Sequence, residues 1–142
     1  MQDQNKDENK SQLENKKISI LFVDDDKFLL DLYSLKFSSN NFDVHIALSS
    51  EDALKTLKDG FIPDVMLLDV VMPSMNGVEL LTVLRKENIA KDSVIIMLTN
   101  QGTPEDIALV KKLNVAGYIV KATTLPTEVL SEVQNIYSKF KK

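Results

Sequence analysis

The stretch Pro63-Asp64-Val65-Met66-Leu67-Leu68-Asp69-Val70-Val71-Met72-Pro73-Ser74-Met75-Asn76-Gly77 is an apolar run that carries one carboxylate to its end and then turns. Val65 to Leu68 is four consecutive apolar residues behind a proline and an acid, the pattern of a strand buried on both faces. A surface strand would alternate. Such a strand implies a parallel sheet covered by helices, and in open sheets of that kind reactive groups gather at the carboxyl ends of the strands. Asp69 falls at that end. Pro73 and Asn76-Gly77 supply turn chemistry before the next helical pattern.

Working outward, Ile18 to Val23 is a β-prone run that stops at Asp24-Asp25-Asp26. Phe28, Leu29, Leu32, Tyr33 and Leu35 follow at helical spacing, with Asp26 as the expected N-cap and no more than that. Phe42, Val44 and Ile46 alternate with Asp43 and His45, which predicts a second strand with one wet face and an exposed, non-catalytic His45. Ser49 or Ser50 is placed to cap a helix carrying Ala53, Leu54 and Leu57, with Gly60 as its stop. Beyond the Asp69 strand, Val78, Leu81 and Leu84 form a helical stripe, and Val94 to Leu98 is a second continuous apolar strand ending at Thr99. Thr103-Pro104 opens a helix with Ile107, Val110 and Leu113 on its apolar face. Gly117-Tyr118-Ile119-Val120 is a short strand ending at Lys121, and Glu128 to Phe140 is a last helix with Val129, Val133, Ile136, Tyr137 and Phe140 on one side. Strand and helix alternate five times, which predicts an α/β fold with a doubly wound five-stranded parallel sheet.

Composition narrows the function. At 142 residues the chain holds one ordinary domain, expected over 18–142, behind a disordered N-terminal extension over 1–17 in which only Met1 and Leu13 are apolar. No apolar run approaches the roughly 18 residues of a membrane span, and nothing near the N-terminus looks like an export signal, so a cytoplasmic location is expected. The absence of cysteine excludes disulfides, thiolate metal sites and cysteine nucleophiles. With a net charge of −4 and scattered basic residues, no direct nucleic-acid partner is expected.

In a parallel sheet all carboxyl ends share one edge, so Asp24, Asp25, Asp69, Thr99 and Lys121 are expected to converge there. Carboxylates packed together repel one another unless a cation neutralises them. Oxygen-only ligands favour a hard ion, above all Mg²⁺. A carboxylate beside such an ion, a hydroxyl and an ammonium suits attack on phosphorus.

These motifs resemble bacterial two-component response regulator receiver domains of the CheY-like, stand-alone kind. The likeness rests on Ile20-Leu21-Phe22-Val23-Asp24-Asp25-Asp26, on Pro63 to Pro73 with Asp69, on Thr99, and on Gly117-Tyr118-Ile119-Val120-Lys121. It implies a flavodoxin-like strand order of 2-1-3-4-5. It implies Asp69 as phosphoacceptor, Mg²⁺ held by Asp25, Asp69 and the backbone carbonyl of Val71 with Asp24 helping through water, Lys121 on the phosphoryl group, and Thr99 and Tyr118 as the switch pair. The implied function is non-enzymatic phosphorelay signalling. A sensor histidine kinase or phosphotransfer protein donates, a downstream protein target responds, and the chain is a monomer or a phosphorylation-dependent dimer. The chain stops where the last receiver helix stops, so no output domain is expected.

Two departures stand out: Asn100-Gln101 follows the threonine where the family usually has a small residue, and Ala122 replaces the usual proline after Lys121. Without that proline a trans Lys121–Ala122 bond is expected, since a non-proline cis bond costs about 2.5–4 kcal/mol. Two rival readings remain. A haloacid dehalogenase-like phosphohydrolase would use Asp24 as nucleophile, but that family needs an acidic pair at a later strand end and none follows Lys121. A phosphorylation-independent interaction domain would not need the motif residues intact.

Overall fold

The structure is a computed structural model and describes residues 16–100 and 103–141. The expected disorder over 1–17 falls almost wholly outside that range, and so does Gln101. Five strands form one sheet: β1 (Ile18–Val23), β2 (Phe42–Ala47), β3 (Val65–Asp69), β4 (Val94–Thr99) and β5 (Gly117–Val120). Every neighbouring pair is parallel and the order is β2-β1-β3-β4-β5, as expected from the resemblance. Among the described residues five α-helices connect and close it, α1 (Lys27–Ser38), α2 (Ser50–Lys58), α3 (Gly77–Lys86), α4 (Pro104–Lys112) and α5 (Pro126–Phe140), with a single 3-10 turn over Lys121–Thr123.

Successive residues of a strand point to opposite faces, and β1 and β3 are apolar at nearly every position, so each supplies two cores. Ile20, Phe22, Val65 and Leu67 pack with Leu30, Tyr33 and Phe37 of α1 and Val129, Leu130 and Val133 of α5. Leu21, Val23, Met66 and Leu68 pack with Ala53 and Leu57 of α2, Leu80, Leu81 and Leu84 of α3, and Val110 of α4. The continuous run Val65 to Leu68 is therefore buried on both sides.

Register is pinned at the amino edge. Asp64 Oδ2 accepts the Ser19 N–H at 2.9 Å and the Ser19 hydroxyl at 3.1 Å, while the Asp64 N–H donates to Ser19 Oγ at 2.9 Å. A slip of one residue would turn every side chain of β3 to the wrong face, so this staple also fixes what meets at the opposite edge.

Several local expectations are corrected. On α1 the buried residues are Leu30, Tyr33 and Phe37, while Phe28 is 75% and Leu35 71% exposed. The aromatic set decides the rotation of that helix. Phe37 meets Phe22 edge-on at 4.9 Å between ring centroids and Phe42 at 5.0 Å, and Tyr33 stacks on Phe22 at 5.3 Å. Each such pair adds about 0.5–1.5 kcal/mol beyond its buried area. On β2, an edge strand, the His45 side chain stays 40% exposed, as expected, with its ring centroid 4.0 Å from that of Phe61 and its Nε2 3.2 Å from Asp43. Ile46 is exposed on the same strand. The last helix begins at Pro126, not Glu128; Glu128 instead accepts the Leu125 N–H at 3.0 Å, and Phe140 lies exposed at the helix end. Among the described residues no helix is long and apolar enough to cross a membrane.

Candidate functional site

Four strand ends deliver the site. Asp24 is the first residue beyond β1, Asp69 and Thr99 are the last of β3 and β4, and Lys121 is the first beyond β5. The pairings Val23 with Leu68, Asp69 with Leu98, and Thr99 with Val120 set these ends side by side. Asp24, Asp69 and Thr99 are buried to within 1% exposure, whereas Asp25 stands on the solvent rim.

Lys121 Nζ lies 2.7 Å from Asp24 Oδ2 and 3.2 Å from Asp69 Oδ2. The approach to Asp24 is a close ion pair and the one to Asp69 a directed hydrogen bond. Asp24 Oδ1 accepts the Asp26 N–H at 2.9 Å, and Asp69 Oδ1 accepts the Val71 N–H at 3.2 Å. Each buried carboxylate thus has one oxygen on a backbone donor and the other on the ammonium. The Thr99 hydroxyl is buried with no hydrogen-bond partner among the described residues. Leaving such a group unmet costs about 1–3 kcal/mol, which marks the position as one suited to a ligand that brings an acceptor.

Electrostatics follow from the burial. Desolvation first and the Asp24 charge second push Asp69 up to about 6, against the pull of Lys121 and the Val71 N–H. Burial pulls the Lys121 ammonium down, but its bond to Asp24 and the charges of Asp69 and Asp24 outweigh that and hold it above its ordinary value. The Tyr33 phenol, buried in the α1 core, is pushed up to about 12 by burial and then by Asp24. Asp24, Asp25 and Asp69 bring carboxylate oxygens within 4.8 Å of one another. Three carboxylates against one ammonium leave the cluster short of positive charge, and an all-oxygen donor set is what a hard divalent ion takes.

A family model described as the response regulator receiver domain matches residues 20–133. The chain belongs to the response regulator receiver family. The receiver is 37% identical over 102 residues to the transcriptional regulatory protein CpxR of Escherichia coli K12, and covers 42% of it with 72% of its own length. It is 30% identical over 115 residues to the DNA-binding response regulator MtrA of Mycolicibacterium paratuberculosis, covering 49% of it with 81% of its own length. Among solved structures, the chemotaxis protein CheY4 of Vibrio cholerae superposes with a TM-score of 0.76 at 28% identity, over 84% of this chain and 98% of that one. The receiver thus spans less than half of each of these two regulators. They lend no support to the expectations of no output domain and no nucleic-acid contact. As a receiver the chain is a signalling module of a two-component system.

Of the residues nominated from sequence, Asp24, Asp25, Asp69, Thr99 and Lys121 meet at this edge of the receiver. Val71 contributes its N–H to Asp69 and leaves its side chain exposed. Tyr118 is half-buried against the cluster that contains Met97 and Val110. Asp26 caps α1, accepting the Leu29 N–H at 3.1 Å. The Asn100 carbonyl accepts the Ala122 N–H at 3.3 Å, tying the loop after β4 to the one after β5. Every peptide bond among the described residues is trans, Lys121–Ala122 included.

From sequence Gly77 reads only as turn chemistry. In the receiver Asn76 caps α3, and Gly77 opens that helix directly beneath the site. A Cβ on Gly77 would collide with the backbone carbonyl oxygen of Asp69, which cannot yield without moving the site. Gly77→Ala is therefore expected to destabilise the receiver by about 1–3 kcal/mol, the usual range for overpacking. A denaturant titration that places the variant level with the parent chain would contradict this contact.

Proposed function

We propose that this receiver is the phosphoacceptor of a two-component phosphorelay, with Asp69 taking a phosphoryl group from a phosphohistidine on a sensor kinase or phosphotransfer protein. The observation that carries the reading is a buried Asp69 with the Lys121 ammonium 3.2 Å from Oδ2 and, at the adjacent strand end, a buried Thr99 hydroxyl with no partner among the described residues. In the proposed step a carboxylate oxygen of Asp69 attacks phosphorus and the bond from phosphorus to the imidazole nitrogen breaks. The electron pair stays on the imidazole, which takes up a proton, and the product is a mixed anhydride on Asp69. Lys121 offsets the charge of the transferred group, and the Thr99 hydroxyl donates to one of its oxygens.

The donor set fits Mg²⁺, with Asp25 and Asp69 as direct ligands, Asp24 acting through water, and the Val71 carbonyl as a further expected donor. When bound, the ion neutralises the clustered acids and the oxygens of the phosphoryl group. The charge gained at Asp69 then biases a two-state element, for which Thr99 and Tyr118 are the proposed movers, and the altered surface selects a downstream protein.

Incubation with a small acyl phosphate is expected to attach one phosphoryl group per chain in a Mg²⁺-dependent way. Mg²⁺ alone is expected to raise the melting temperature, since it binds only the folded state. Labelling that survives a chelator, or a melting curve unmoved at saturating Mg²⁺, would count against the reading.

A further inference from the structure

The first turn of α2 grips the loop that leaves the Asp69 strand. Ser50, 1% exposed, donates its hydroxyl to the Met75 carbonyl at 2.8 Å. One residue on, Glu51 Oε1 accepts the Ser74 hydroxyl at 3.0 Å. Ser74 holds a left-handed backbone at φ 66, a conformation that is unfavourable for a non-glycine residue and persists only where neighbours enforce it. The two side-chain bonds sit on Ser74 and on the residue after it. Between Asp69 and this clasp lie Val70, whose N–H reaches the Leu98 carbonyl at 2.9 Å, Val71 on Asp69 Oδ1, and buried Met72. Movement of the clasped end therefore reaches Val71 through only Met72 and Pro73. The carboxyl group of Glu51 lies below its ordinary range, through its own backbone N–H first and the Ser74 hydroxyl next.

We propose that Ser50 is a positioning residue for Asp69: by fixing the Met75 carbonyl it holds the β3–α3 loop so that the Val71 N–H stays on Asp69 and the Val71 backbone keeps its place beside the acids. This rests on the phosphoacceptor reading for its consequence, though not for its geometry. A buried serine that merely satisfied a local carbonyl would affect folding alone. One that positions Asp69 affects the transfer rate, because displacements near 1 Å at a reacting group cost as much as a hundredfold.

The test is Ser50→Ala in the full chain. The saturated rate of labelling by a small acyl phosphate with Mg²⁺ is expected to fall about tenfold, and the Val71 amide resonance is expected to shift, with the concentration of phosphodonor at half-saturation unchanged. A parent-like rate and an unmoved Val71 amide, whatever the melting temperature, would overturn the proposal. Should Ser50→Ala not fold, Ser50→Gly removes the same hydroxyl from the Met75 carbonyl, and a parent-like rate and Val71 amide there would overturn it as well. If the unsubstituted chain takes no label, the phosphoacceptor reading fails by itself. The Val71 amide still decides whether Ser50 holds the loop.

Discussion

Asp69→Asn is expected to take no label from a small acyl phosphate, and in Mg²⁺-free buffer at pH 7.5 to melt higher than the parent chain. The first effect removes the nucleophile while keeping its shape. The second follows from the raised pKa of Asp69, which burial and the Asp24 charge push from 3.8 to about 6. A carboxyl group with a raised folded-state value contributes stability that is fully present below its unfolded value and is lost as pH rises through the folded one. At pH 7.5 the charged group is therefore a net cost. A shift of that size corresponds to about 3 kcal/mol, and we expect about 1–3 because the asparagine also gives up the charge attraction to Lys121. Asparagine cannot ionise, so the variant should lose this component of the stability change between pH 4 and 7. A variant that melts below the parent at pH 7.5, or one that still takes stoichiometric label, would contradict this picture of Asp69.

Lys121→Met is expected to act in opposite directions on metal binding and on transfer. The ammonium sits 2.7 Å from Asp24 and 3.2 Å from Asp69, against the same carboxylates proposed to attract Mg²⁺. Two unit charges 4 Å apart interact by about 4 kcal/mol at an effective dielectric of 20. Rearrangement of the side chain and partial solvent access reduce that, so the expected gain in Mg²⁺ affinity is about tenfold, or about 1.4 kcal/mol. Without Mg²⁺ the fold should lose about 1–3 kcal/mol, less than the 3–5 usual for breaking a buried pair, because Asp69 can take up a proton instead. The saturated labelling rate should fall at least tenfold, since nothing else among the described side chains brings a positive charge within salt-bridge distance of Asp69. Calorimetric Mg²⁺ titration and labelling kinetics on one variant check both halves. Weaker Mg²⁺ binding with an unchanged labelling rate would remove Lys121 from the site.

What the sequence disclosed depended on geometry that sequence can carry. Val65 to Leu68 and Val94 to Leu98 were legible as central strands because only strands covered on both sides run apolar without alternation. Once the sheet was parallel, Asp24, Asp69, Thr99 and Lys121 had to share an edge whatever their separation along the chain. The face of α1 was not legible, because Phe28, Leu29, Leu30, Leu32, Tyr33, Leu35 and Phe37 offer more than one apolar stripe. Contacts with Phe22 and Phe42 selected the one that is buried. The clasp was hidden for a different reason: Ser49 and Ser50 are both cap types, and only the fold shows that Ser49 caps α2 while Ser50 reaches across 25 residues to Met75. Gly77 looked like turn chemistry because a glycine required by a neighbouring backbone oxygen leaves no mark in its own local sequence.

The central claim is that Asp69 accepts the phosphoryl group. Its most direct test is to label the parent chain with a small acyl phosphate and Mg²⁺, reduce the acyl phosphate chemically to mark the carbon that carried it, and map the modified residue by peptide mass spectrometry. The mark is expected on Asp69 alone. A mark on Asp24, or one on Asp25 with Asp69 unmodified, would contradict it.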